Sequence, residues 1–134
     1  MPIHMADLAE KALKEEGINL KDAKIAILGY AFLEDSDDTR NTPAEPLIQE
    51  LKKRGVREIA IHDSFVRKEE LPEVERDVYK ALSGADCACL VTKHSEYKTL
   101  DMEKVAKVMR TPVIVDGRNV MGKNERFKII TIGK

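Results

Sequence analysis

The chain has 134 residues, enough for one domain around a single core and too few for two. Its 23 basic and 24 acidic residues leave a formal net charge of -1, which excludes the broad basic field needed to hold a nucleic-acid backbone or an anionic membrane. Apolar runs are of strand length, well short of the ~20 residues of a bilayer span, and no signal-peptide core follows Met1. The expectation is a cytoplasmic protein with no membrane and no nucleic acid among its partners.

Met5, Leu8, Ala9, Ala12 and Leu13 follow the i, i+3, i+4, i+7, i+8 spacing of an amphipathic helix over residues 2–16, which Gly17 closes. Lys24–Leu28 is short, β-branched and apolar and runs into Gly29, the pattern of a central parallel strand. A long acidic loop follows. The next helix is signalled by Thr42 as N-cap, Pro43 at the first helical position and Glu45 completing a capping box; Ala44, Leu47, Ile48 and Leu51 face inward and Gly55 ends it.

Glu58–His62 reads as a second strand ending at Asp63. A patternless charged connection leads to a helix starting at Pro72 or Glu73, with Val74, Val78, Ala81 and Leu82 inward and Gly84 past its end. Residues 85–92 form a third strand, and residues 100–109 a helix with Asp101 at its cap. Residues 111–115 form a fourth strand, followed by Asp116-Gly117-Arg118, and residues 127–132 a last one. Cys87 and Cys89 sit two apart on the third strand, a geometry suited to buried free thiols and not to an ordinary disulfide.

Strands alternating with helices predict an α/β fold: a doubly wound parallel sheet, Rossmann-like, in three layers, as a single domain with an N-terminal helix. The expected order is 2-1-3-4-5, with the switch point between strands one and three. Ligands of such sheets bind beyond the carboxyl ends of the strands near that point. The polar residues expected there are the loop after strand one, Asp63, Lys93, His94 and the D-G-R turn.

Direct binding of NAD in the usual manner is disfavoured. Gly29 lacks the second and third glycines of the fingerprint, and Glu34, Asp35, Asp37 and Asp38 would repel a pyrophosphate. A calcium loop counted from Asp35 fails too, with Arg40 where glycine is needed and Pro46 at the twelfth position. Those carboxylates read as a solvated loop in which Asp37 or Asp38 pairs with Arg40. His94 reads as a hydrogen-bonded structural histidine. Arg118, on a tight turn at a strand end, suits a bidentate grip on phosphate or carboxylate; the alternative is an ion pair with Asp116 or Asp63.

Four segments, LGYAFLEDSDDTRNTPA, IHDSFV, LSGADCACLVTKHSEYKTLD and PVIVDGRNVM, occur in this order. Together they resemble the carboxyl-terminal, UDP-binding domain of the UDP-glucose/GDP-mannose dehydrogenases, NAD-dependent enzymes that oxidise nucleotide sugars and include UDP-N-acetylmannosamine dehydrogenase-like members. The resemblance implies substrate contacts from Phe32, Leu33 and Arg118, and an NAD contact from Arg40. The family usually carries lysine where Leu33 stands. The opening MPIHMADLAEKAL is similar to the segment after the family's central dimerising helix, so residues 1–20 are expected to continue an interdomain helix and residues 21–134 to form the UDP-binding Rossmann-like domain.

The function so implied is the UDP-sugar-binding portion of an NAD-dependent UDP-sugar 6-dehydrogenase that makes a UDP-uronic acid from a UDP-hexose. The family's nucleophilic cysteine and base groups lie in an upstream motif that this chain lacks, so no catalytic residue is assigned. Its partners would be the N-terminal NAD-binding and central domains of the same enzyme, which would hold most of the NAD, and homo-oligomerisation is compatible with this. The alternative is a stand-alone nucleotide-binding or regulatory module without dehydrogenase activity, a reading that Leu33 favours.

Overall fold

The computed structural model describes residues 2–31, 42–118, 120–121 and 124–131. Its helices are α1 (Pro2–Glu15), α2 (Ala44–Lys53), α3 (Val78–Leu82), α4 (Ser95–Lys98) and α5 (Met102–Val108). The strands are β1 (Lys24–Leu28), β2 (Glu58–His62), β3 (Val74–Glu75), β4 (Cys87–Leu90), β5 (Val113–Asp116) and β6 (Lys128–Thr131). All pair in parallel in one sheet of order β3-β2-β1-β4-β5-β6. Apart from the short edge strand β3, this is the expected order, with the switch point between β1 and β4.

The period-two alternation of the strands separates two cores. Ile25, Ile27, Cys87, Cys89, Val113 and Val115 face α1 and α2, meeting Ala9, Leu13, Leu47 and Leu51. Ala26, Leu28, Ala88, Leu90 and Ile114 face the other way, towards α3 and α5 and the buried ring of Tyr97. Each fully buried leucine or isoleucine contributes about 1.5–3 kcal/mol of transfer free energy, so both faces must be covered for the sheet to persist. Cys87 and Cys89 are buried and free, pointing to the same face.

Three local expectations need correction. Residues 74–75 form an edge strand, not helix: Val74 is buried beside Ile61 in register, and the helix waits for Asp77, whose carboxylate accepts from the amides of Tyr79 and Lys80. The helical spacing of Val74 with Val78 is coincidental, because Val74 needs burial in either conformation. At α2 the cap position is Pro43, and the Thr42 hydroxyl accepts from the Ala44 amide at 3.1 Å. Glu45 closes no capping box; it accepts from the Tyr30 hydroxyl at 2.6 Å and the Gln49 amide at 2.8 Å. Finally, residues 95–98 form a helical turn, too short to show periodicity, and α5 is shorter at both ends than expected.

Arg54 at the end of α2 fastens α1 to the domain. Its guanidinium donates to Glu50 at 2.8 Å, Asp7 at 2.7 Å and Glu10 at 3.0 Å, and the bonds to Glu50 and Asp7 raise its pKa further. Arg54→Ala should lower stability by about 1–2 kcal/mol at low salt, as three partly exposed pairs are lost together. Denaturant unfolding checks this, and concentrated salt should shrink the difference. A deficit that salt leaves unchanged would mean that packing of the arginine stem, not charge, is what matters.

Candidate functional site

The strand register brings four chain segments to one edge. Leu28 lies opposite His62 on one side and Leu90 on the other, and Leu90 lies opposite Asp116, so the residues that follow these positions emerge side by side. At the exit of β1, Gly29 has φ +99°, and a Cβ built there would lie 2.5 Å from Thr92 Cβ. Only glycine fits so close an approach of β1 to the end of β4.

Asp63, fully buried, ties these exits together. Its Oδ2 accepts from the amides of Tyr30 and Ala31, each at 2.9 Å, and from His94 Nε2 at 2.8 Å. Its Oδ1 accepts from the amides of Phe65 at 2.8 Å and Val66 at 3.3 Å. Burial would raise the pKa of this carboxyl, but the hydrogen bonds from His94, Ala31, Phe65 and Tyr30 outweigh it and hold the group at about 2. The turn after β4 contributes again through Thr92, whose hydroxyl donates to the Ala31 carbonyl at 2.6 Å. Both polar backbone groups of Ala31 are therefore taken by buried side chains of other strands.

Around this centre, the Phe65 ring tilts against His94 at a centroid distance of 4.8 Å. His62 is buried, and its Nδ1 lies 2.7 Å from the Tyr97 hydroxyl. Burial lowers its pKa despite the nearby carboxylates of Glu96 and Asp63, so its imidazole is neutral at pH 7. Ser64 donates to Glu96, fixing the turn after β2 to α4.

The D-G-R turn repeats the same device. Asp116 is buried and accepts from the Arg118 amide at 3.0 Å and from those of Val120 and Met121 at 2.7 Å each. Gly117 has no room for a side chain, since a Cβ would lie 2.8 Å from the Leu90 carbonyl and 3.1 Å from Met5 of α1. The carboxylates of Asp116 and Asp63 are engaged by backbone amides and His94, so Arg118 forms an ion pair with neither. Its side chain stands exposed at the sheet edge.

Of the expected site residues, Asp63 and His94 meet directly, and Arg118 stands on the turn after β5 at the same edge of the sheet. Phe32, Leu33 and Arg40 lie outside the described residues, as do Glu34, Asp35, Asp37 and Asp38. Sequence reasoning missed the central part of Asp63 and the clasp from Thr92; the one available signal was an aspartate directly after an apolar strand. Among the described residues there is no cluster suited to a metal. An open groove of about 410 Å³ lined by Asp7, Glu10, Lys11, Lys14 and Glu15 runs along α1, away from this edge. Its mixed charges offer a phosphate no net attraction.

Residues 26–123 match the family model for the UDP binding domain of the UDP-glucose/GDP-mannose dehydrogenase family. The chain belongs to that family. It is 36% identical over 121 residues to UDP-N-acetyl-D-mannosamine dehydrogenase of Pyrococcus horikoshii, covering 90% of this chain and 28% of that protein. It is 30% identical to UDP-glucose 6-dehydrogenase of Rhizobium meliloti, covering 95% of this chain and 31% of the relative. Among solved structures, an NDP-N-acetyl-D-galactosaminuronic acid dehydrogenase from Methanosarcina mazei superposes with a TM-score of 0.90 at 35% identity, over 99% of this chain and 29% of the other. The chain thus spans about 30% of the length of the relatives it matches. The TM-score of 0.90 shows that this chain shares the fold of the matching part of that structure.

Asp63 carries a stability signature. Its folded pKa lies below the ordinary 3.8, so its contribution of about 2 kcal/mol is complete above that value and is lost as the pH falls from about 4 to 2. Asp63→Asn should remove this acid limb. It should also cost about 2–3 kcal/mol at pH 7, because an amide NH₂ must then face backbone N–H donors. Urea unfolding from pH 2 to 7 is the check; parallel wild-type and variant curves would contradict it.

Proposed function

We propose that the chain is the UDP-sugar-binding portion of an NAD-dependent UDP-sugar 6-dehydrogenase, a dehydrogenase that converts a UDP-hexose to a UDP-uronic acid. The observation that carries this reading is the exposed Arg118 guanidinium on a turn locked by Asp116, at the carboxyl edge of a domain whose family model describes UDP binding. A planar, permanently charged fork held on a rigid turn suits bidentate contact with a diphosphate. Phe32 and Leu33, which follow the clamped Ala31 in sequence, are assigned to the substrate side in this reading, and Arg40 is assigned a contact to NAD, held mainly by another domain. In that scheme residues 1–20 continue an interdomain helix, and residues 21–134 are the binding domain.

The chain alone is not catalytic in this reading. Oxidation of an alcohol to an acid takes two hydride transfers, a base and, in the family it resembles, a thiolate that holds the intermediate. Cys87 and Cys89 are fully buried, and the hydrogen bond with Cys89 together with burial pushes the Cys87 thiol up, away from a thiolate. The second reading, a nucleotide-binding module without dehydrogenase activity, is favoured by Leu33, which removes a cation the family usually places beside the substrate.

Arg118→Ala should weaken UDP binding by about 1.5–3 kcal/mol, the range for hydrogen bonds to charged groups. Calorimetric titration decides it, and equal affinities would remove Arg118 from the site. The purified chain with NAD and UDP-glucose or UDP-N-acetylmannosamine should give no NADH absorbance. Addition of the amino-terminal portion of a relative should restore turnover if the chain is part of a dehydrogenase; continued silence with a competent partner favours the binding module, and turnover by the chain alone contradicts both.

A further inference from the structure

Thr92 touches two points at the exit of β1. It packs on Gly29 so tightly that no other residue fits there, and its hydroxyl donates to the Ala31 carbonyl at 2.6 Å. Thr92 is 3% exposed and Ala31 0%, so this bond is made away from water and has no solvent substitute. The Ala31 amide is held in turn by Asp63, which also receives His94 from the same turn as Thr92. The turn after β4 is therefore tied directly to the exit of β1 by Thr92, and through His94 to Asp63 at the end of β2, which itself holds the Ala31 amide; these ties lie at the switch point where doubly wound sheets ordinarily seat a ligand.

We propose that Thr92 is a positioning residue for nucleotide binding: by fixing the Ala31 peptide it sets the direction in which the chain leaves β1, and UDP affinity depends on its hydroxyl although the hydroxyl does not touch the ligand. This rests on the reading of the chain as a UDP-binding portion. The hydroxyl acts through geometry alone, since it carries no charge and its proton is committed to Ala31. Valine at this position keeps the contact with Gly29 and removes the donor; serine keeps the donor and removes a methyl group.

The test uses the full chain and three proteins: wild type, Thr92→Val and Thr92→Ser. Amide exchange of Tyr30 and Ala31, read by NMR without ligand, should accelerate roughly tenfold in Thr92→Val and change little in Thr92→Ser. UDP titration of the folded proteins should show roughly a five- to tenfold loss for Thr92→Val, with serine retaining affinity within about twofold of wild type. If Thr92→Val does not fold, Thr92→Ala carries the same comparison, as it removes the donor without crowding. Faster exchange with unchanged UDP affinity, or affinity lost equally in valine and serine variants, overturns the positioning role while leaving UDP binding intact. Wild type that does not bind UDP overturns the functional reading itself, and the positioning role with it.

Discussion

The carboxyl edge of this domain depends on one buried carboxylate. Asp63 accepts five hydrogen bonds from three separate chain segments: Tyr30 and Ala31, Phe65 and Val66, and His94. A charge taken out of water is tolerable only when its lone pairs are met, and here they are met by backbone amides that could not otherwise find partners at the ends of parallel strands. The cost of burying the charge and the need to satisfy those amides offset each other. The result is a rigid rim: the exits of β1 and β2 and the turn after β4 cannot move independently.

That rim explains why Arg118 is left open. The described arginines at structural positions are saturated: Arg110 grips Asp86 through two nitrogens at 2.7 and 2.8 Å at the amino end of the sheet, and Arg54 holds three carboxylates between α1 and α2. At the carboxyl end Asp63 and Asp116 serve backbone amides and His94 instead, so among the described residues the Arg118 guanidinium has no carboxylate paired with it. Opposite edges of one sheet thus carry opposite logic, closed ion pairs at one and an available cation at the other. The contact of Gly117 with Met5 also joins the D-G-R turn to α1, so the helix that begins the chain supports the turn that would face the ligand.

Much of this could be read from the sequence because the signals were local. Strand order follows from the alternation of strands with helices, and the D-G-R turn identifies its own arginine. What stayed hidden depended on partners far apart in the chain. Asp63 looked like an ordinary strand-end residue until His94, thirty-one positions on, and Tyr30, thirty-three positions back, were seen to meet it. Glu45 fitted a capping box by spacing, but the Tyr30 hydroxyl competed for it and won. Val74, four before Val78, satisfies the helical period, whereas the cap at Asp77 and pairing with β2 settle it as part of an edge strand.

UDP bound as proposed meets this chain at the carboxyl edge organised by Asp63. Backbone chemical-shift mapping during a UDP titration should then show the largest shifts at residues 29–31, 63–66 and 117–121, with the amino edge around Asp86 and Arg110 undisturbed. Saturable shifts confined to the outer face of α1, or to the amino edge, would contradict it.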